Sequence, residues 1–287
     1  MRFGTQDGRF VLVAEGRVLD VHLASNGSLP WEPLAAFERW DEVCAFAASA
    51  GWGAAEPLDE SRLGPPVPCP RQVFAVALNY RPHAAEAGYV PPTAPLVFTK
   101  FPTCIAGPAA TVDLPAGKVD WEIEVVAVIG RGGHRMPRAQ AWDAVAGITG
   151  GQDLSERVLQ LAGTPAQFSL GKSFPGFGPT GPVAVTPDEL PNRDDIGFAS
   201  WLDGEPLQQG RTSQMIFPVD ELVAWLSATC PLLPGDLVFT GTPAGVGNRR
   251  QPPRYLKPGQ TLISRFDGIG EIRQHFTERA LAGRGER

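Results

Sequence analysis

Glycine and proline interrupt this chain so often that long helices have little room. The 33 glycines and 29 prolines make up about a fifth of the 287 residues, just under the level at which disorder becomes the default. Between them run short stretches rich in β-branched and aromatic residues: VFAVALNY, PLVFTK, DWEIEVVAVIG, GPVAVT, FASWLDG, GDLVFTG and TLISRFDG. An apolar content of 43% gives these stretches a core to build. The pattern predicts a β-rich α+β fold of many short strands and turns.

Residues 1 to 25 alternate like a small β-meander, with Glu15-Gly16 as a hairpin tip. The apolar spacing of Leu34, Phe37, Val43, Phe46 and Ala47 predicts a helix that stops at Gly51. Five prolines in PLDESRLGPPVPCPR make residues 57 to 71 an extended connector. We therefore expect a small N-terminal subdomain over 1–67, a larger domain over 68–280 and a frayed tail over 281–287. Two further helices are expected, at 138–147 and at 219–228, the latter opened by Pro218 and Asp220.

A net charge of −6 argues against nucleic acid or an anionic membrane as partner, since either favours a basic face. A small molecule is the expected partner. Four widely spaced cysteines without a CxxC pair read as reduced thiols. The first twenty residues carry charges too closely spaced for a signal peptide or a membrane span, so a cytoplasmic location is expected.

The run VDWEIEVVAVIG reads as a strand whose period of two sends Glu122 and Glu124 to one face, shared with Val126 and Val128. Unpaired carboxylates in such apolar company are costly, so a cation should compensate them. Asp153, after the glycine-rich GITGGQD read as a turn, is a candidate third ligand. All-oxygen ligation selects a hard cation, Mg²⁺, Mn²⁺ or Ca²⁺, over zinc. The glutamate pair taken alone favours the other reading, a solvated strand edge.

In NYRPHAAEAG, Pro82 suits the first position of a short helix, which puts His83 and Glu86 three apart on one face. A carboxylate beside an imidazole orients it as a general base able to activate water, although an exposed pair has the same spacing. Gly171-Lys172-Ser173 matches the end of a phosphate loop, but Ala166 stands where that loop needs glycine. Arg250 likewise stands where a dinucleotide fingerprint after Gly245 and Gly247 needs its third glycine. What remains is Lys172 on a glycine-proline loop, either an anion-binding point charge or a solvated lysine.

In order along residues 70 to 276, NYRPHAAEAG, PLVFTKFPT, VDWEIEVVAVIG, QDLSERVLQ, FSLGKSFPGFGPTGP, SQMIF, LLPGDLVFTGTPAGVG and YLKPGQ resemble the fumarylacetoacetate hydrolase family. The resemblance implies a mixed β-sandwich roll, usually paired as a homodimer. It implies that Glu122, Glu124 and Asp153 ligate a metal, usually Mg²⁺ with Mn²⁺ tolerated, and that His83 and Glu86 form the catalytic dyad. Lys172 would then stand beside the substrate, Gln160 and Thr242 would line its pocket, and Arg157 matches a family arginine of unassigned role. Pro175, Gln152 and Asp203 depart from the family pattern and bear on substrate choice.

The reactions this resemblance implies share an enolate that a divalent ion can chelate. Foremost is hydrolysis of a carbon-carbon bond in a small 2,4-dioxo acid, an acylpyruvate or β-diketone, with water activated by His83 and Glu86. Isomerisation, tautomerisation or decarboxylation of a 2-oxo diacid on the same site is the alternative, and an inactive metal-stabilised dimer a third.

Overall fold

A computed structural model describes residues 1–278. The expected frayed tail at 281–287 lies outside the described residues, as do the last two residues of the expected 68–280 domain. The fold is β-rich α+β, as the punctuation predicts: a 12-stranded mixed sheet, a five-stranded sheet and a two-stranded ribbon.

The N-terminal meander forms from Arg2–Gln6, Arg9–Ala14 and Arg17–Asp20. Glu15 and Gly16 both adopt positive φ, 49° and 68°, the backbone a two-residue hairpin requires. These strands continue the large sheet across the expected 67/68 boundary, because Arg2–Gln6 pairs with Gly178–Val185. Phe3, Phe10 and Phe37 accordingly share a core with Val126, Val128 and Phe239.

The helix expected to end at Gly51 is two, Pro33–Glu38 and Trp40–Ser49, broken at Arg39. Across the break Phe37 and Trp40 stack at 5.5 Å, and both pack on Phe3. The helix expected over 219–228 spans Val219–Thr229. The one expected over 138–147 shrinks to a 3-10 turn at Arg138–Gln140 and a single α-turn at Ala141–Ala144. From Val145 the chain pairs with Ile123–Ile129 as the strand Val145–Gln152, so sheet pairing overrides local helix propensity.

That strand corrects another expectation, because GITGGQ is not a turn. Its glycines serve close approach: a Cβ on Gly150 would lie 2.2 Å from the Phe266 ring, and one on Gly151 2.8 Å from Val126. Phe266 belongs to the five-stranded sheet, which packs Phe198, Phe266 and Ile272 against Val125, Ala127, Ile148 and Val183 of the large one. Two sheets thus sandwich a common core.

Strand direction gathers the candidate residues. Ile123–Ile129 runs antiparallel to Val145–Gln152 and to Leu237–Phe239, which is parallel to Val73–Ala77. Residues just before Ile123 therefore emerge at the same end as residues just after Gln152, Phe239 and Ala77. Among the described residues, no helix is long and apolar enough to cross a membrane.

Candidate metal centre and active site

At that end the backbone is clipped before any side chain is placed. Glu122 N donates to Gln152 Oε1 at 3.0 Å, Gln152 Nε2 donates to Ser264 Oγ at 2.9 Å, and Asp153 N donates to Glu122 O at 2.8 Å. The departure at Gln152 therefore fixes the main chain of one acid against that of another. Glu124 Oε2 accepts from Gly241 N at 2.7 Å. Gly241 sits at φ 95°, and a Cβ there would meet Asn79 Cβ and Val76 O at 2.9 Å, so the close approach needs glycine.

Glu122, Glu124 and Asp153 converge, with one carboxylate oxygen from each within 4.8 Å of the others. They are 8%, 1% and 1% exposed, which rules out the solvated strand edge. Three buried cations lie among them. Lys172 Nζ donates to Glu122 Oε2 at 2.8 Å and to Asp153 Oδ2 at 2.6 Å. Lys100 Nζ donates to Asp153 Oδ1 at 2.6 Å and to the carbonyls of Lys172 and Phe177. Arg157 Nε donates to Asp120 Oδ1 at 2.6 Å, Nη1 to Gln160 Oε1 at 2.8 Å, and Nη2 lies 2.8 Å from Glu122 Oε1.

Asp120, Glu122, Glu124 and Asp153 set against Lys100, Arg157 and Lys172 leave one carboxylate in excess. The electrostatics single out Glu124. Burial, then Asp153 and Glu122 beside it, push its carboxyl well above the ordinary range. Burial also opposes ionisation of Glu122, but Lys172 and Arg157 outweigh it and hold that carboxyl down to about 2. Burial works against the Lys172 ammonium as well, yet Asp153 and Glu122 keep its pKa raised. An all-oxygen donor set with uncompensated negative charge fits a hard divalent cation.

His83 sits on the helix Arg81–Glu86, which begins one residue before Pro82. Its Nδ1 lies 3.0 Å from Glu86 Oε2, while Glu86 Oε1 accepts from Gly245 N at 2.9 Å. The carboxylate is thus held at both oxygens. A proton on Nδ1 shared with Glu86 leaves Nε2 as the basic nitrogen. His83 is 9% exposed, whereas Glu86 lies nearer the surface and is held by its two hydrogen bonds.

A cavity of about 810 Å³ joins these parts, with His83, Glu122, Gln160, Lys172 and Thr242 in its wall. Arg157 occupies the Gln160 carbonyl, which leaves the amide NH₂ of Gln160 to donate. Thr242 is committed: its hydroxyl donates to Ile123 O and accepts from Gln208 Nε2, both at 2.9 Å. Glu124 and Asp153 lie behind this wall. Gly171 lets the Lys172 loop close, since a Cβ there would lie 2.5 Å from Gln160 N. Asp203 lies in a hairpin turn and holds Thr261 N and Gln260.

Sequence reasoning passed over Lys100 and left Arg157 without a role. The signal for both was their company: a lysine ending the apolar run PLVFTK, and an arginine three residues before Gln160.

Residues 72–277 match the family model described as fumarylacetoacetate (FAA) hydrolase C-terminal. A solved structure described as an HpcE protein of Mycobacterium smegmatis is 49% identical, with a TM-score of 0.92 over 98% of this chain and 100% of that one. The fumarylacetoacetate hydrolase of Exiguobacterium antarcticum is 30% identical, with a TM-score of 0.84 over 97% of this chain and 100% of that one. The human mitochondrial oxaloacetate tautomerase FAHD2A is 38% identical over 218 residues, 75% of this chain and 69% of that protein. Hydrolase and tautomerase names thus both occur among the relatives. With the family model matched over most of its length, the chain belongs to the fumarylacetoacetate hydrolase family.

Proposed function

We propose that this protein hydrolyses a carbon-carbon bond in a small 2,4-dioxo acid. One observation supports this reading above others: His83, oriented by a doubly held Glu86, shares a cavity wall with Glu122 and Lys172. A base next to a cluster that a bound divalent cation would make anion-stabilising is what water attack followed by enolate departure requires.

Glu122, Glu124 and Asp153 would hold the divalent ion, Mg²⁺ with Mn²⁺ or Ca²⁺ as substitutes. When bound, it supplies Lewis-acid stabilisation to the charge that develops on the 2-oxo acid end. His83 Nε2 removes a proton from water, and the water oxygen bonds to the distal carbonyl carbon. The bond between that carbon and the adjacent methylene carbon then breaks, and its electron pair leaves as the enolate of pyruvate. Lys172 donates to the oxygen that gains charge, the Gln160 amide orients the acid end, and His83 returns its proton to the enolate carbon. The products are a carboxylic acid and pyruvate.

In an acylpyruvate assay His83→Ala should cut turnover by about 10²- to 10⁴-fold while the protein keeps its metal; an unchanged rate would sink the role. A tautomerase on the same residues is the second reading, favoured by the name of the human relative. Turnover in ¹⁸O-labelled water separates the two, because only hydrolysis puts that oxygen into the new carboxylic acid.

We further propose that two copies pair, as the family resemblance implies, so light scattering should return twice the chain mass. The cytoplasm is the proposed compartment, where the four free cysteines stay reduced.

A further inference from the structure

The cavity is much larger than its polar end needs. A pyruvate-sized head is covered by Lys172, Gln160, His83 and Glu122, yet the space reaches about 810 Å³, within the range that encloses drug-sized ligands. Most of the rest of its wall is apolar, with Arg157, Gln167, Thr242, Asn248 and Arg249 the polar exceptions. Of the twelve large apolar side chains exposed in the described structure, six line this one cavity: Tyr89, Val90, Leu96, Val97, Leu161 and Trp225. Exposed apolar surface concentrated in one concave place marks a binding surface rather than scatter.

Phe98 connects the two ends. The Lys172 ammonium lies 5.3 Å from the centre of its ring, and Phe168 packs edge-on against it at 5.7 Å, 68° between planes. Both rings line the cavity and both are half-buried. The apolar wall therefore begins one ring away from the group that would stabilise the enolate. Phe98 is carried by the strand Leu96–Thr99 and Phe168 opens the turn Phe168–Gly171 that ends at Lys172, so the reactive head and the aromatic pair are set by the same two elements.

We infer that the substrate carries a bulky apolar group on its distal carbonyl and that Phe98 and Phe168 form the subsite for it. This rests on the reading of the head group above. A second carboxylate at the distal end would find apolar side chains over most of this wall. Arg249 is the rival feature, an exposed cation of the same cavity that makes no ion pair among the described residues.

The test uses the Mn²⁺-loaded full chain and calorimetric binding of three unreactive acids: pyruvate, 2-oxooctanoate and 2-oxoglutarate. Each buried methylene tightens binding about fourfold, so seating three of the five extra methylenes of 2-oxooctanoate gives about sixtyfold over pyruvate. Phe168→Ser should cut that ratio about tenfold, while Phe168→Leu, which restores apolar area, should keep it. Phe168 is half-buried on a single turn, and equal melting temperatures of both variants confirm that they fold.

A ratio near one overturns the inference, as does a Phe168→Ser effect equal on both acids. Tighter binding of 2-oxoglutarate than of 2-oxooctanoate also overturns it and moves the distal group to Arg249. Acylpyruvate turnover is scored separately. Tail-dependent binding without cleavage sinks the hydrolase reading and leaves the subsite standing; cleavage without tail dependence does the reverse.

Discussion

Glu124 carries a conflict that the fold leaves in place. It is 1% exposed, accepts from Gly241 N and lacks the cation that Lys172 gives to its two neighbours. Its raised pKa means that the folded protein holds a proton more tightly than the unfolded chain does. The linked stability is present below the ordinary carboxylate value of 4.5 and is lost as pH rises toward the raised one. Glu122, depressed to about 2, has the opposite sign: its stability is present above 4.5 and is lost on acidification through about 2. Below that raised value, an ion bound by the three acids would have to expel the Glu124 proton. We therefore expect Mg²⁺ affinity to rise about tenfold per pH unit below the raised Glu124 value and then level off. Calorimetry in buffers of different ionisation enthalpy would count the released proton, and a pH-independent affinity without proton release would overturn the assignment.

At the scale of elements, what was legible in the sequence was periodic. VVAVI, VFAVA and the meander read as strands because β-branched residues recur without a helical repeat, and the acids at 122 and 124 could be seen to share a face. GITGGQ was misread because glycine reports two different needs, a turn backbone or a missing Cβ, and only the packed partner separates them. Phe266, which lies over Gly150, is more than a hundred residues away and on the other sheet. Gly150→Ala should therefore cost about 1–3 kcal/mol through overpacking, and Phe266→Leu should recover part of that loss. A double-mutant cycle by urea unfolding measures this coupling, and strictly additive losses would argue against the contact. Lys100 was illegible for a similar reason: it ends a strand in sequence, but its ammonium is spent on Asp153 and two carbonyls from a distant loop.

In the whole molecule the site exists because strand directions bring four chain segments to one end of the large sheet, and the sequence shows order along the chain but not direction in space. The dyad follows one strand of a parallel pair, Gly241 and Gly245 follow its partner, and the three acids cluster at the open end of an antiparallel pair, opposite the connection between its strands. A bound ion would tie two of these strands together, so it should stabilise the fold as well as serve chemistry. At a hundred times its dissociation constant that stabilisation is about 2.7 kcal/mol, worth roughly 4–5 °C in a chain of this size. Glu124→Gln separates function from stability. At a pH above the raised Glu124 value, removing the unpaired buried charge while keeping an oxygen for Gly241 N relieves the repulsion from Asp153 and Glu122. We expect this variant to melt above the parent in chelator, to gain nothing from Mg²⁺, and to lose turnover. Should it melt lower than the parent in chelator, Glu124 would be contributing net stability, and the cluster would be a structural ion-pair network rather than a metal centre held open for an ion.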